Sequence, residues 1–587
     1  MFSRLRKPTW MGSESTNLGS EGRVLARTIG LETEYALVLV RRNRDPQGES
    51  SRQLPEDWYA RLIAAMAKHS TLVRGLGNST RFFNAQGGSI SREVRWGTEG
   101  GIGFLEGATP ECLSPRDLIA HQVAQDELLA SLVEQIPPTG EVRLLKNSAD
   151  HQAHLYGQQE NYELTIASGW RLLAWRCALL LLFLPIQIYH LLATMWLGLM
   201  GAAMRWTHRD PEPWLDSQLQ RGSAWLDIAS TGLRLLHYPL ACIFSFLAWS
   251  LLCVPHRRRL SGFLASRSIL EGSGYVDSRG KFWLSAKAAT VRSEIGMGAY
   301  FNRRPIFEIG HLLESVCAHP IQGWIRLWQP RQRVQLALGD SSPNPWSQYL
   351  KVATTCLLLD LVESRSRRPL VQLPRSWRAC QEFSGDSTLV HRTLGSREGG
   401  RSRDPFSALE IQMQTLQSVR GFLEDQGPVP EECWSIVAMW KESLEALRQH
   451  RYEQPFPDAL LGKIDWATKQ WLLEKLGRST SWDARKKLDL RYAELSEDGY
   501  CEKVRRAHGC NAPVDRQRIN LAKLAPPEGT AARARAYWIR EFASERQDAR
   551  VDWDRGELIE EGKRRTFHFR PVAAVVTGKS LPEEDSE

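Results

Sequence analysis

Alternation of apolar and polar residues predicts a set of β-strands in the first third of the chain. Residues 27–40, RTIGLETEYALVLV, alternate with a period of two, and residues 82–112 show a hairpin pattern with glycines near the turn. Residues 142–164 form a third strand-like segment, rich in amide and acidic side chains. Between the first two segments, residues 41–70 combine a loop rich in Pro, Gly and Ser with one amphipathic helix. We therefore expect a sheet that is built early in the chain.

Two long apolar runs interrupt this pattern in the middle of the chain. No Lys, Arg, Asp or Glu occurs in the 28 residues from Cys177 to Met204, nor in a second run from Leu235 to His256. Each run is long enough for a membrane-spanning helix, which needs about 20 residues. Arginines flank both outer ends, so we expect residues 177–256 to anchor a cytoplasmic catalytic part in the inner membrane. A buried helical hairpin or a hydrophobic oligomer interface is the alternative.

Composition places the rest of the chain among globular proteins. Hydrophobic residues make up 42% and charged residues 24% of the 587 residues. The net charge of +9 is spread along the chain without a long basic block, so no nucleic-acid partner is expected. The 10 cysteines occur singly, without metal-ligand spacing, which is typical of a reducing compartment. Residues 1–26 begin without an apolar segment, so we expect a flexible lead-in rather than a signal peptide.

Carboxylates recur on the predicted strands. Glu32 and Glu34 point to one face of the first strand, where they are costly unless they bind a cation or pair with bases. Mg²⁺ takes oxygen ligands and usually bridges to phosphates, so such a strand suits a nucleotide site. The hairpin adds Glu93, Glu106 and Glu111. Recurrence on several strands favours a metal–nucleotide cradle, although an exposed edge strand would show the same E-x-E pattern.

A series of longer motifs makes the chain recognisable. In order they are IGLETEY, EGATPEC, KNSADHQAHLYGQQENYEL, SRSILEGSGYV, FWLSAKA, LALGDSSPNPWSQYLKVATTCLLLDLVE, SALEIQMQTL, KIDWATKQWLL, LDLRYAEL and VDWDRGEL. Together they resemble the family of the Pup ligase (proteasome accessory factor PafA) and the depupylase/deamidase Dop. The resemblance covers residues 27 to about 558, except the apolar insertion at about 168–258.

The resemblance implies an α+β fold of the glutamine-synthetase type, that of the carboxylate–amine ligases. Such a fold has a large antiparallel sheet backed by helices and a small C-terminal domain. The insertion would be a hydrophobic helical hairpin, which we expect to be transmembrane. The implied organisation is a lead-in at 1–26, a catalytic domain at 27–167 and 259–480, the hairpin at 168–258, a C-terminal domain at 481–575 and an acidic tail at 576–587.

The resemblance also implies an activity that depends on ATP and Mg²⁺. A ligase of this family phosphorylates the γ-carboxylate of the C-terminal glutamate of a prokaryotic ubiquitin-like modifier, and a substrate lysine then attacks the acyl phosphate. A depupylase/deamidase hydrolyses the isopeptide bond or the amide of a C-terminal glutamine. The implied partners are the modifier, its lysine conjugates and, indirectly, a proteasome, with membrane association added by the hairpin.

The depupylase branch is favoured over the ligase branch. Two features resemble that branch: the five-residue spacing from Glu106 to Glu111, and the long segment that precedes Glu106. A ligase remains the main alternative. A small-molecule carboxylate–amine ligase and a non-catalytic, membrane-localised binder of the modifier are further alternatives.

Site residues are carried over position by position from the matching motifs. Either Glu106 or Glu93 takes the place of the catalytic aspartate of the family, and no clear counterpart exists for the arginine that precedes it. The implied metal ligands are Glu32, Glu34, Glu111 and Glu160. The implied nucleotide-binding residues are Ser114, Trp553, Arg331 and Arg333, and the implied substrate-binding residues are Asn147 and Asn161.

Overall fold

The structure is a computed structural model of the 587-residue chain. It describes residues 24–40, 57–76, 78, 80–93, 104–136, 141–207, 224–252, 254–297, 304–318, 320–400, 402–452, 456–477, 480–543, 548–560 and 563–569. Most of the predicted lead-in, the loop at 41–56, the turn of the hairpin at 94–103, the connector at 208–223 and the acidic tail therefore lie outside the described residues.

Strands from the first three-fifths of the chain form one large sheet. The strands to residue 407 are β1 (Ile29–Val40), β2 (Leu72–Arg74), β3 (Arg81–Asn84), β4 (Ser89–Glu93), β5 (Phe104–Ala108), β6 (Glu141–Leu145), β7 (Gln158–Thr165), β8 (Tyr275–Val276), β9 (Phe282–Trp283), β10 (Ser293–Gly296), β11 (Pro305–Glu308), β12 (Arg331–Leu336), β13 (Val371–Gln372), β14 (Arg392–Arg397) and β15 (Asp404–Ser407). Ten of them make the central sheet in the order β10-β11-β12-β7-β1-β5-β4-β3-β2, with β6 beside the second half of β1. The β10–β11 pair is parallel, so the sheet is mixed rather than wholly antiparallel.

Strand β1 has one buried face and one polar face, as the alternation of apolar and polar residues predicts. Leu31, Thr33 and Tyr35 are buried, whereas Glu32 and Glu34 between them are half-buried on the opposite face. A strand turns successive side chains to opposite faces, so one face of β1 joins the core and the other presents carboxylates. This division separates an apolar, helix-covered side of the sheet from a polar side.

Helices cover the apolar side of the sheet and make up most of the chain after it. They are α1 (Trp58–Ala67), α2 (Pro115–Val133), α3 (Gly169–Thr207), α4 (Ala224–Leu251), α5 (Val254–Ser266), α6 (Ser268–Glu271), α7 (Ala286–Thr290), α8 (Gly310–Ala318), α9 (Pro320–Trp328), α10 (Pro345–Glu363), α11 (Ser376–Ser384), α12 (Ala408–Asp425), α13 (Glu431–Tyr452), α14 (Asp465–Leu476), α15 (Trp482–Tyr492), α16 (Tyr500–Ala507), α17 (Arg516–Leu524) and α18 (Ala531–Phe542). The long helices α2 and α10 pack behind β1, β6 and β7, and α10 is buried along most of its length.

The apolar insertion forms two long helices, α3 and α4, that pack against each other. One stripe of α3, which includes Trp175, Leu179 and Leu182, is buried against α4 and the core. The indole Nε1 of Trp175 donates to the carbonyl of Leu327 at 3.0 Å, which fixes the base of the hairpin on α9. Most of the remaining surface of the two helices is exposed and apolar.

The last described elements form a small unit on the edge of the sheet. Strands β16 (Arg550–Val551), β17 (Arg555–Glu560) and β18 (Lys563–His568) make a three-stranded sheet against α18. Its residue Val551 pairs with Gly75 beside β2, and a shared apolar cluster joins the two units. Helix α15, at the start of the predicted C-terminal domain, contacts α14 through a buried Lys469–Asp489 ion pair, and Lys486 on α15 itself pairs with the same aspartate.

Candidate active site

One face of the central sheet carries a row of carboxylates, which we call the cradle face. Glu34 on β1 lies directly opposite Glu106 on β5, and Glu106 lies opposite Ser91 on β4. Residues that face each other across an antiparallel pair share one side of the sheet with Cβ atoms about 5 Å apart. Glu93 follows two residues after Ser91, so it lies on the same side. The strand register thus assembles the predicted carboxylates.

Glu106 is the most deeply placed carboxylate of the cradle face. It is buried, and the hydroxyl of Ser91 donates to its Oε2 atom at 3.3 Å. Burial, followed by the neighbouring carboxylate of Glu93 and the more distant Glu32, raises the pKa of Glu106 well above the ordinary glutamate value. A carboxylate with a raised pKa is a stronger proton acceptor once it is ionised. Glu93, the other predicted candidate, is exposed at the end of β4.

Glu32 is oriented by amide and guanidinium donors from neighbouring strands. The Nδ2 atom of Asn161 donates to Glu32 Oε1 at 3.1 Å. Gln335 and Arg333, both on β12, approach the same carboxylate at 3.5 Å. Arg333 and Asn161, which the sequence assigned to nucleotide and substrate, therefore lie beside the predicted metal ligand Glu32.

Glu34 is held by a backbone amide and faces a lysine. The backbone N–H of Gly157 donates to Glu34 Oε2 at 2.6 Å, and Lys287 Nζ lies 3.8 Å from the same atom. A Cβ atom at Gly157 would lie 2.2 Å from Lys287 Cε, so a larger residue there would displace the lysine from Glu34. Lys287 belongs to the FWLSAKA motif but was not singled out as a site residue.

Glu111 connects the sheet to the C-terminal unit. Arg535 on α18 binds it through two contacts, from Nη1 at 3.0 Å and from Nη2 at 2.6 Å. The guanidinium also lies beside the rings of Trp553 and Phe83, at 4.7 and 5.5 Å from their centroids, and the two rings contact each other edge to face at 5.0 Å. Trp553, predicted to pack at the nucleotide, thus lies next to Glu111 at one end of the cradle face. No sequence pattern marks Arg535, which is 424 residues away from Glu111.

The assignment of Glu160 as a metal ligand is corrected. Glu160 lies opposite Leu31, so it faces the helices rather than the cradle. Its carboxylate is fully buried and receives Arg267 Nη2 at 2.6 Å and Nη1 at 3.1 Å. Because both oxygens are engaged on the helix side of the sheet, Glu160 supports the core and does not join the cradle carboxylates.

Three further predicted site residues differ in their hydrogen bonding and exposure. Ser114 is the N-cap of α2, where its hydroxyl accepts the backbone N–H of Asp117 at 3.1 Å, so its nucleotide contact remains a prediction. Asn147 is buried, and both polar atoms of its side chain are without a hydrogen-bond partner among the described residues. Such unsatisfied groups are costly, which keeps Asn147 a candidate for ligand contact. Arg331 is half-exposed and lies 4.0 Å from Glu163.

The cradle face suits a hard cation such as Mg²⁺, whose coordination shell is completed by water and by the oxygens of a bound phosphate. Within the described part of the chain, no three His, Cys, Asp or Glu side chains converge as a ready-made metal cage. Mg²⁺ usually takes one or two protein carboxylates, several waters and phosphate oxygens, rather than a cage made by the protein alone. Glu32, Glu34 and Glu111 are half-buried carboxylates at the cradle, and their role as metal ligands stays a prediction, since Arg535 already engages both oxygens of Glu111.

Comparisons with known proteins agree with this architecture. A model of the Pup-ligase protein family matches residues 27–557, which is nearly the whole chain. The chain belongs to the Pup-ligase family. This confirms the family that the motifs predicted, while the comparisons do not resolve a depupylase branch within it.

Similar members of the Pup-ligase family share most of their length with this chain. The Pup–protein ligase of Acidimicrobium ferrooxidans is 25% identical over 568 residues, covering 94% of this chain and 97% of the relative. The Pup–protein ligase of Kribbella flavida is 25% identical over 557 residues, covering 92% and 94%. The family match at 27–557 extends on both sides of the apolar insertion.

Solved structures confirm the predicted α+β fold of the carboxylate–amine ligase type. The ligase PafA in complex with the prokaryotic ubiquitin-like protein Pup matches with a TM-score of 0.62 at 19% identity, covering 94% of this chain and 90% of that one. PafA in complex with ADP matches with a TM-score of 0.56 at 18% identity, covering 91% and 94%.

Proposed function

We propose that this protein is an ATP-dependent ligase that joins the C-terminal glutamate of a Pup-like modifier to lysine side chains. The main support is the row of carboxylates on the cradle face, centred on buried Glu106, within a chain that matches Pup–protein ligases over nearly its whole length. The predicted preference for the depupylase branch gains no support from these relatives, so we now rank the ligase first.

The roles of the cradle residues follow from their chemistry. Glu32, Glu34 and Glu111 would hold Mg²⁺, which when bound neutralises phosphate charge. Arg333, beside Glu32, is placed to bind phosphate or carboxylate oxygens through its guanidinium. Ionised Glu106 would accept the proton that the attacking lysine amine must lose as it forms the amide bond. Trp553, stacked on Arg535, offers an aromatic face for a nucleotide base at the Glu111 end.

Depupylase/deamidase activity is the second candidate function. The five-residue spacing from Glu106 to Glu111, which resembles that branch, is its specific support. The same cradle could activate water instead of a lysine amine, with Glu106 again as the proton acceptor. Hydrolysis would then release the modifier from a conjugate or convert its C-terminal glutamine to glutamate.

Incubating the full-length protein with ATP, Mg²⁺, a Pup-like protein ending in Gly-Gly-Glu and a lysine-containing acceptor is expected to give a covalent conjugate and ADP. Mass spectrometry of intact products would detect the conjugate, and omission of ATP is the control. Release of modifier from a prepared conjugate, without ligation, would instead support the depupylase. Absence of turnover in both directions by folded protein would contradict both activities and leave a non-catalytic binder.

We also propose that α3 and α4 anchor the protein in a membrane. Both helices are long and apolar enough to cross one, and only 22% and 29% of their most apolar stretches are buried. A core helix of a water-soluble domain would be mostly buried. Leu181 and Leu184 on α3 are 79% and 66% exposed, and such contiguous apolar surface is stable in lipid but not in water.

The full-length protein is expected to stay with membranes during carbonate extraction. Replacing both Leu181 and Leu184 with arginine should weaken this retention, because each arginine costs roughly 2.5–3.5 kcal/mol at the centre of an inserted helix. Leu521→Arg, at a leucine 60% exposed on α17, is the matched control and should stay in the membrane fraction. Release of the unmodified protein as a soluble monomer would contradict the anchor, and a soluble oligomer would favour the alternative interface.

A further inference from the structure

A basic cleft lies where the second hydrophobic helix enters the catalytic domain. It has a volume of about 740 Å³ and is bounded by the end of α4, the start of α5, β10 and the loop after β13. We call it the arginine cleft and define it by Trp249, Arg257, Arg258, Arg292, Glu294 and Arg403. Strand β10 is an edge strand of the central sheet, and four strands separate it from β5 with Glu106. The arginine cleft is therefore distinct from the cradle face.

The arginine cleft has an excess of positive charge. Arg257 is paired at 2.6 Å with Glu294, the single carboxylate among the described residues that line the cleft. Arg258, Arg292 and Arg403 are exposed and form no ion pair with any residue that the structure describes. Arginines placed together without acidic partners repel one another, so an anion between them would be favourable.

Two buried polar atoms at the arginine cleft are without a partner. The Nε atom of Arg257 and the Oγ atom of Ser293 are buried, and neither forms a hydrogen bond within the described part of the chain. The Arg257 side chain is only 12% exposed, and its guanidinium lies over the ring of Trp249 at 4.9 Å. A buried donor and a hydroxyl that lack partners are costly, so this side of the cleft carries unmet hydrogen-bonding capacity.

An apolar stripe leads along α4 to this cleft. Ile243, Phe246 and Trp249 follow at intervals of three residues and are 50%, 64% and 46% exposed. Residues three apart lie on the same side of a helix, so the stripe runs down to the arginines at its end. Tryptophan and arginine at the end of an apolar helix are typical of the level of the lipid headgroups.

We propose that the arginine cleft binds the phosphate of an anionic phospholipid whose acyl chains lie along the apolar stripe of α4. The stripe selects an occupant with apolar chains, and the unpaired arginines select an anionic headgroup. This inference rests on the proposed membrane anchor. It assigns the cleft a role outside the ligation chemistry, namely to fix the orientation of the catalytic domain on the membrane.

The test compares short-chain lipids on the full-length protein in neutral detergent micelles. The probes are dihexanoylphosphatidylglycerol, dihexanoylphosphatidylcholine and inorganic phosphate, with binding measured by calorimetry. We expect phosphatidylglycerol to bind at least about tenfold more tightly than either other probe. The triple variant Arg258→Gln, Arg292→Gln, Arg403→Gln should lose at least about tenfold in this affinity, since each arginine near an anionic lipid contributes about 1 kcal/mol. The matched variant Arg279→Gln, Arg420→Gln, Arg448→Gln removes three exposed arginines elsewhere and should bind as the unmodified protein does.

Several results would overturn the inference. Equal binding of phosphatidylglycerol and phosphatidylcholine, or equal binding by both triple variants, would exclude the cleft as a headgroup site. Inorganic phosphate that binds as tightly as phosphatidylglycerol would make it a free-phosphate site. Carbonate extraction separates the two proposals: carbonate-resistant protein without lipid preference contradicts only the cleft, whereas carbonate-released protein that still binds phosphatidylglycerol contradicts only the anchor.

Discussion

Glu106→Gln is expected to lower the rate of conjugate formation by about 10²–10⁴-fold, the range that general-base catalysis contributes. Glutamine keeps the size of the side chain and can still accept the hydrogen bond from Ser91, but it cannot take a proton. Glu93→Gln is the matched variant and should lose less than about tenfold, because Glu93 is exposed at the end of its strand. Single-turnover rates at saturating ATP and modifier would compare the two.

The pH dependence of the rate adds a second readout for Glu106. Burial and the carboxylate of Glu93 raise the pKa of Glu106, so the rate should increase with pH above the ordinary titration range of glutamate. Glu93→Gln removes one cause of that raised pKa. The rising limb of the pH–rate profile should therefore shift to lower pH in this variant. A larger loss in Glu93→Gln than in Glu106→Gln would instead make Glu93 the proton acceptor.

Loss of activity in Glu106→Gln should not come from unfolding. A carboxyl group with a raised pKa in the folded state binds more protons there than in the unfolded state, once the pH exceeds the unfolded value of about 4.3. The free energy of unfolding then falls as the pH rises toward the folded pKa. Glutamine removes this cost, so Glu106→Gln should be at least as stable as the unmodified protein near neutral pH in urea denaturation. A clear loss of stability would contradict the geometry described for Glu106.

Arg267→Met is expected to lower the free energy of unfolding by about 3–5 kcal/mol, the cost of breaking a buried ion pair by removing one partner. Arg267 is 2% exposed and lies between two buried carboxylates, Glu160 at 2.6 Å and Glu271 at 2.7 Å. Methionine is similar in length but removes the ion-pair partner of both acids, and the more distant Lys351 cannot replace its hydrogen bonds. Urea denaturation followed by tryptophan fluorescence would measure the change.

Two variants separate the buried charge from other effects of Arg267→Met. Arg420→Met breaks an exposed Arg420–Glu424 pair and should cost less than about 1 kcal/mol. Combining Arg267→Met with Glu160→Gln removes one unpaired carboxylate and should recover part of the lost stability.

Burial already raises the pKa of Glu271 to about 7. The damage from Arg267→Met should therefore be smaller near about pH 6, where Glu271 can be protonated, than near about pH 8. Equal damage at both pH values would show that packing, rather than charge, accounts for the loss.

The sequence assigned β1 correctly because its two faces differ in polarity. Apolar side chains alternate with Glu32 and Glu34, so the period of two identifies the face that lies away from the core. The same reasoning fails for β7, QQENYELT, where polar residues occupy both faces. Alternation cannot choose a face there, which is why Glu160 was included among the metal ligands although it faces the helices, whereas Asn161, predicted to bind substrate, contacts Glu32.

By itself, the sequence determined the family, the α+β class and the apolar insertion, and it singled out the carboxylates that lie on the cradle face, because these follow from ordered motifs and from local periodicity. The tertiary structure decided which groups meet across long separations. It brought Arg535 to Glu111, Lys287 to Glu34 and Arg267 to Glu160, and it gathered arginines from three segments around Trp249. Such contacts depend on strand register and domain docking, which are set by packing over the whole chain and leave no local pattern to read.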